Sequence, residues 1–226
     1  MYNGKTAVVT GAASGLGEII AKLLRDEGFA VRPFDKVYGD DVRNPVSLEE
    51  LARCDVLVNA AGVNGINWLD DVTYEEWDEI LGVNVSGMFR VTQRVAPLLR
   101  ESRGVVLNIV SDASTKPMRC SAAYNASKGA AAILTKQLAR ELAPDGVTVF
   151  GVSPNKLAGT GMSQKIDGEV CRTRGWTTEQ ARDYQLAGLL NGEETDPYRC
   201  AEFCAWLLAD RERARPFAGC DIPYGA

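Results

Sequence analysis

Tyr124 and Lys128 stand four residues apart in Tyr124-Asn125-Ala126-Ser127-Lys128, so a helix through this segment carries both on one face. A phenol with an ordinary pKa near ~10 is a poor base at neutral pH, and a neighbouring ammonium favours its ionised form. The pair offers acid–base chemistry without imidazole, and this chain has no histidine. That absence excludes Ser-His-Asp and Cys-His catalysis, imidazole ligation of a metal and an imidazole proton switch. Tyr and Lys at this spacing also recur by chance on helices, so the rest of the chain must supply the context.

The second chemical feature is Thr10-Gly11-Ala12-Ala13-Ser14-Gly15-Leu16-Gly17. It joins an apolar run to a helical stretch. Glycines let a backbone approach a pyrophosphate, and a helix N-terminus offers free N–H groups and a positive dipole end. The spacing is GxxxGxG, and its place between a strand and a helix favours a nucleotide over a plain tight turn. Asp35 follows at the end of the second apolar run, where an acid can accept the adenosine ribose hydroxyls, selecting NAD and repelling a 2′-phosphate. An Asp at a strand end also forms turns, and Arg32 and Lys36 are cations that could neutralise a 2′-phosphate. NAD is the expected cofactor, with NADP the lesser alternative.

The elements that position these groups alternate strand with helix. Strands are expected over Lys5 to Thr10, Phe29 to Phe34, Val56 to Asn59, Val105 to Val110 and Val147 to Val152, with a short terminal strand near Cys220 to Ile222. Helices are expected over Gly15 to Glu27, Ser47 to Arg53, Glu75 to Leu99 with a break near Gly82 or Gly87, Ala122 to Leu142, and Tyr198 to Ala209. Strands apolar throughout and separated by helices imply a parallel sheet covered on both faces. The expected fold class is α/β, a doubly wound Rossmann-like sheet, with residues 1–226 as a single domain whose ligand lies beyond the carboxyl ends of the strands. Residues 154–195 lack clear periodicity and are expected to form a substrate-binding loop or lid.

Composition narrows the classes further. The 226 residues carry 25 Lys and Arg against 30 Asp and Glu, net −5, with no basic stripe for nucleic acid and no polybasic membrane patch. The apolar run near the start, Ala7 to Val9, is far too short for a leader or a spanning helix. Six cysteines without a CxxC read as reduced thiols, and the expected location is the cytoplasm. Cys200 and Cys204 share the inner side of an apolar helix with Phe203, Trp206 and Leu207 and read as core. Cys120 reads as a small filler at the pocket edge.

With Asn59-Ala60-Ala61-Gly62 closing one strand, Asn84 within the long helical region and Ser111 closing another, the sequence resembles the short-chain dehydrogenase/reductase family from Lys5 to about Ser153. The resemblance implies an NAD-dependent oxidoreductase interconverting a secondary alcohol and a carbonyl compound. It implies that Gly11, Ser14, Gly15, Leu16 and Gly17 cradle the cofactor, that Asp35 reads the ribose, and that Asp41 and Val42 flank the adenine. Asn59 would support the sheet, while Ala60, Ala61, Gly62 and Pro154 pass close to the cofactor. Tyr124 would exchange the substrate proton, Ser111 hold the carbonyl oxygen, Lys128 lower the Tyr124 pKa and grip a ribose, and Asn84 hold a water behind Lys128. No metal is implied. Partners are a small substrate and further copies of the chain, as a homodimer or homotetramer.

The sequence differs from the family pattern in three places. Asp35 to Val56 is short, implying a trimmed strand and helix. Pro154-Asn155 replaces Pro-Gly, an Asn being able to adopt the left-handed turn. Gly159 stands where the family's nicotinamide-gripping Thr belongs, with Thr160 one later. Val63, Asn64, Met118, Arg119 and residues 154–195 are expected around the substrate, where Trp176, Tyr184, Arg172 and Arg174 could meet a ring or a carboxylate. The segment from Ser111 to Tyr124 bears a fainter resemblance to dehydrogenases of cyclic dihydrodiols. Two other functions fit the same pattern: an epimerase or lyase retaining its nicotinamide, and a non-catalytic dinucleotide sensor.

Overall fold

The structure, a computed structural model, describes residues 3–225. Six strands form one parallel sheet in the order β2-β1-β3-β4-β5-β6, with β1 Thr6–Thr10, β2 Ala30–Phe34, β3 Val56–Asn59, β4 Val105–Ile109, β5 Thr148–Pro154 and β6 Asp221–Tyr224. The chain runs outward from β1 to β2 and then returns across β1 to β3. The reversal between β1 and β3 opens the crevice where ligands of such sheets bind.

Each face of the sheet buries a separate apolar layer. On one face Leu16, Ile20 and Leu24 of α1 (Gly15–Asp26) and Cys200, Cys204, Leu207 and Leu208 of α7 (Pro197–Ala209) pack on Val9, Val58, Leu107 and Phe150. On the other, Val91, Val95 and Leu99 of α3 (Met88–Ser102) and Leu138 and Leu142 of α4 (Ala122–Leu142) pack on Val8, Leu57, Val106 and Val149. Each such side chain, taken fully from water, contributes about 1.5–3 kcal/mol. The two cysteines expected in the core lie there, both fully buried.

The helical region expected over Glu75 to Leu99 is α2 (Tyr74–Leu81), a π-helical turn over Gly82–Gly87, and α3. Both suspected glycines bound the interruption. Gly87 has little choice of side chain, because an added Cβ would lie 2.6 Å from Val42.

Two expectations fail. Ser47 to Arg53 is not an α-helix: the chain makes one 3-10 turn over Val46–Leu48, and neither strand nor α-helix lies between β2 and β3 among the described residues. Only Leu48 is buried there, and a short helix without an apolar face to dock is marginal in water. Residues 154–195 are not irregular but hold α5 (Gly161–Arg174) and α6 (Thr178–Ala187). Caps start them in place of periodicity. Thr160 accepts from the Ser163 N–H, and Thr177 with Gln180 forms a reciprocal capping box.

Candidate active site

A cavity of about 780 Å³ runs along the carboxyl ends of the strands. Gly11, Ser14, Gly15, Leu16, Gly17, Asp35, Val42, Ala60, Ala61, Gly62, Ser111, Tyr124, Lys128 and Pro154 all line it. Thus the segments from β1, β2, β3, β4, α4 and β5 that the sequence singled out converge on one crevice. Asn59, Asn84 and Asp41 are not on its wall.

The glycine loop closes the crevice beneath its first third. Gly11 adopts φ +66°, and an added Cβ would meet the Ala61 amide nitrogen at 2.8 Å. A Cβ on Gly17 would lie 2.3 Å from the Gly11 carbonyl oxygen, so α1 and the loop touch backbone to backbone. Ser14 is the N-cap of α1, yet its hydroxyl caps no helical N–H. Thr10 ties the loop to the next strand by accepting from the Ala60 and Ala61 N–H groups, each at 3.1 Å.

Asp35 sits at the end of β2, accepting from the Ala13 N–H at 3.2 Å and the Val37 N–H at 3.0 Å. The neighbouring acids divide differently from expectation. Asp40 lines the cavity, with its carboxylate held by Arg32 and Ser47. Asp41 turns away, because Arg43 binds it through Nε and Nη2, and that guanidinium holds its carboxyl down at about 2. Arg43 also meets Glu79, as does Lys36 at 3.3 Å. Arg32, Lys36 and Arg43 therefore each have a carboxylate.

At the other end, Ser111 closes β4 and Tyr124 and Lys128 project from the start of α4, all three under one-tenth exposed. The Lys128 ammonium donates to the Ile109 carbonyl at 2.9 Å and lies 5.7 Å from the Tyr124 ring centre. Burial pushes the Tyr124 phenol up to about 12, the Ser111 hydroxyl beside it pulls down, and Asp112 adds to the rise. Burial likewise lowers Lys128 to about 8, against the attraction of Asp221. Both groups are thus displaced toward their neutral forms, so the lowering of Tyr124 by Lys128 that the resemblance implies is not found: burial wins and the phenol rises.

Asn84 and Asn59 act behind the wall. Within the π-helical turn, Asn84 accepts from the Val63 N–H and donates to the Val63 carbonyl and the Ser127 hydroxyl, each at 2.9 Å. These bonds fix the Gly62–Val63 segment against α4. Asn59 donates to Thr92 and Asn108, and Asn108 donates to Thr135 of α4. This buried ladder locks β3, β4 and the helix bearing Tyr124 together.

Asn155 does not take the left-handed conformation expected of it. Its backbone pairs with Tyr224 and its side chain accepts from the Thr195 hydroxyl, while Gly159 supplies the positive φ of this stretch at +65°. Thr160 lines the cavity and caps α5. Val63, Asn64, Met118 and Arg119 reach the wall as expected. From the last segment Arg174 and Tyr184 reach it, whereas Arg172 bonds Ile66 and Asn67 and Trp176 lies behind Arg174. Lys156, which the sequence reading passed over, also lines the cavity and pairs with Asp167 and Glu194.

The model of the short chain dehydrogenase family matches residues 45–170. An uncharacterized oxidoreductase of Staphylococcus epidermidis is 32% identical, over 72% of this chain and 82% of the relative. Another from Staphylococcus aureus is 33% identical, over 68% and 78%. Among solved structures, actinorhodin polyketide ketoreductase with NADPH is 29% identical with a TM-score of 0.85, covering 99% of this chain and 97% of the other. The 3-ketoacyl-(acyl-carrier-protein) reductase from Brucella melitensis, complexed with NADH, is 27% identical with a TM-score of 0.82 over 97% and 96%. NAD+-bound xylitol dehydrogenase, 24% identical, shares the fold with a TM-score of 0.88 over 100% and 99%. The chain belongs to the short-chain dehydrogenase family and is an oxidoreductase of that type.

Proposed function

We propose that this protein is an NAD(H)-dependent oxidoreductase that interconverts a secondary alcohol and a ketone or aldehyde on a small, cyclic substrate. The observation that carries the reading is that Ser111, Tyr124 and Lys128 share one cavity with the glycine loop and Asp35. A dinucleotide fits the residues present. The Gly11 and Gly17 contacts leave no room for a Cβ, Ser14 keeps an uncommitted hydroxyl, and Asp35 faces the cavity. NAD is favoured over NADP because Arg32, Lys36 and Arg43 are all engaged by carboxylates, leaving none to meet a 2′-phosphate.

When bound, a nicotinamide dinucleotide supplies hydride exchange with the substrate carbon. The chain's own residues handle the proton and the oxygen. Tyr124, protonated at neutral pH, is placed to donate its phenolic proton to a carbonyl oxygen and to take it back from an alcohol. Ser111 offers the same oxygen a hydroxyl donor and steadies the developing charge. Lys128 supplies positive charge beside the phenol, and Asn84 holds the adjoining backbone in place. Assembly into two or four copies is part of this reading, supported by the exposed Tyr74, Phe89 and Ile133 on α2, α3 and α4. A cytoplasmic location is supported by six cysteines that are all unpaired thiols.

Tyr124→Phe tests the mechanism. Turnover across a panel of cyclic alcohols and ketones is expected to fall by about 10²–10⁴-fold, while NADH binding followed by fluorescence stays near wild type. Retained turnover in that variant refutes the assignment.

A further inference from the structure

Arg174 ends α5 on the cavity wall that also carries Ser111 and Tyr124. Its guanidinium carbon lies 4.7 Å from the Trp176 ring centre and 4.3 Å from that of Tyr184, in the corner made by two rings 5.2 Å apart and inclined at 64°. Thr173, the residue before it, is tied to residues 66–68. Trp68 donates to the Thr173 carbonyl at 3.0 Å, and Thr173 donates to the Ile66 carbonyl at 2.9 Å.

The charges around Arg174 have partners. Lys116 meets Asp112, Lys156 meets Asp167 and Glu194, and Arg172 bonds the Ile66 carbonyl and the Asn67 side chain. Arg174 has neither ion pair nor hydrogen bond among the described residues, and its Nε is buried without an acceptor. Aromatic rings satisfy the face of a guanidinium, not its N–H edge. The terminal N–H groups of this planar fork have no acceptor among the described residues, and such a fork suits a carboxylate. Arg119, also without an ion pair among the described residues, is exposed at the rim, and Lys128 is committed to the Ile109 carbonyl beside Tyr124, so Arg174 is the inner cation left to meet a monoanion.

We propose that Arg174 is the specificity residue for a substrate carboxylate, making the substrate a hydroxy acid or oxo acid whose carboxylate is remote from the reacting carbon. This rests on the oxidoreductase reading. The carboxylate takes no part in the bond changes: in reduction the carbonyl oxygen would take the phenolic proton of Tyr124, which solvent restores, the carbonyl carbon would take the hydride that a bound nicotinamide supplies, and the carboxylate leaves as it entered.

The test uses 3-oxocyclohexanecarboxylate and its methyl ester with NADH and the full chain. Turnover is measured together with binding by ligand-observed magnetic resonance. Wild type is expected to favour the acid by about tenfold or more in both measures. The preference should collapse toward one in Arg174→Gln, survive in part in Arg174→Lys, and persist in Arg182→Gln, an exposed arginine off the cavity wall. Equal use of acid and ester by wild type, a preference that survives Arg174→Gln, or binding of neither probe overturns the inference. Reduction of both probes alike would leave the oxidoreductase reading standing without it. Selective binding of the acid through Arg174 with no reduction would support the carboxylate site and count against the reaction.

Discussion

Replacing Lys128 by methionine removes a buried ammonium and keeps an unbranched chain of similar length. In the unfolded chain this amine titrates at its ordinary 10.5, and in the folded protein burial lowers it to about 8, after the opposing pull of Asp221. Below pH 8 folding must therefore take a charged amine out of water, at a cost of about 3 kcal/mol for the gap between those values. Methionine avoids that cost and forfeits the 2.9 Å bond to the Ile109 carbonyl, a loss of about 1 kcal/mol. The net expectation is that Lys128→Met is inactive yet more stable than wild type by about 2 kcal/mol at pH 7, about 4–8 °C in Tm for a chain of this size. The sign of the pH dependence follows from the same pair of values. Between pH 8 and 10.5 the folded amine has lost its proton while the unfolded one retains it, so wild type gains stability relative to the variant across that window. Thermal unfolding of both proteins at pH 7, 8, 9 and 10 at fixed ionic strength measures the difference and cancels groups they share. A variant less stable than wild type at pH 7, or a difference that does not narrow above pH 8, would refute the reasoning.

Three further outcomes are expected. Gly17→Ala puts a Cβ 2.3 Å from the Gly11 carbonyl oxygen, and backbone cannot yield as a flexible side chain would; NADH titration should show binding lost and Tm lowered, with wild-type affinity as the contrary result. Asp35→Ala leaves the Ala13 and Val37 N–H groups without their acceptor and removes the negative charge, so NADH should bind about tenfold more weakly while NADPH gains relative to it; an NADPH preference already present in wild type would contradict the reading. Asn84→Ala strips partners from both Val63 backbone groups and from Ser127, and urea unfolding should register a loss of about 2 kcal/mol or more.

What could be read from the sequence was what periodicity or chemistry marks locally. Uniformly apolar strands announced the parallel sheet, and Gly11 to Gly17, Ser111, Tyr124 and Lys128 stand out because few residue types can serve at those positions. Elements held by few buried contacts were hidden. In α5 only Ser163 and Val170 are buried, and in α6 only Ala181, so neither shows an apolar stripe; Thr177 and Gln180 were the available sign of the second. Adjacent acids were equally opaque. Asp40 and Asp41 differ by which arginine claims them, Arg32 or Arg43, and that choice is made by the turn geometry between β2 and β3. Asn155 was read as a substitute for glycine's backbone freedom, whereas its contribution is a side-chain bond to Thr195, forty residues away in the chain. Arg174 was legible as a cation in a loop, but its lack of a partner is a property of the assembled wall.

The two ends of the cavity handle charge in opposite ways, and the contrast is informative because carboxylates are not scarce in a chain with 30 acidic and 25 basic side chains. Around Asp35 three cations meet Asp40, Asp41 and Glu79, leaving one negative charge in excess. These ion pairs are partly exposed, and each is worth about 0–1 kcal/mol to the fold. Their larger consequence is electrostatic. A ligand adding two negative charges there would have to displace a carboxylate from its cation, while a neutral diol would not. Near Tyr124 the order reverses: Lys116 and Lys156 are paired, Lys128 bonds the Ile109 carbonyl, and Arg174, without a carboxylate among the described residues, is stacked on aromatic rings. An end of a crevice whose cations are already paired disfavours a dianion, and an inner cation without a carboxylate favours a monoanion, which supports the proposed NAD and carboxylate specificities.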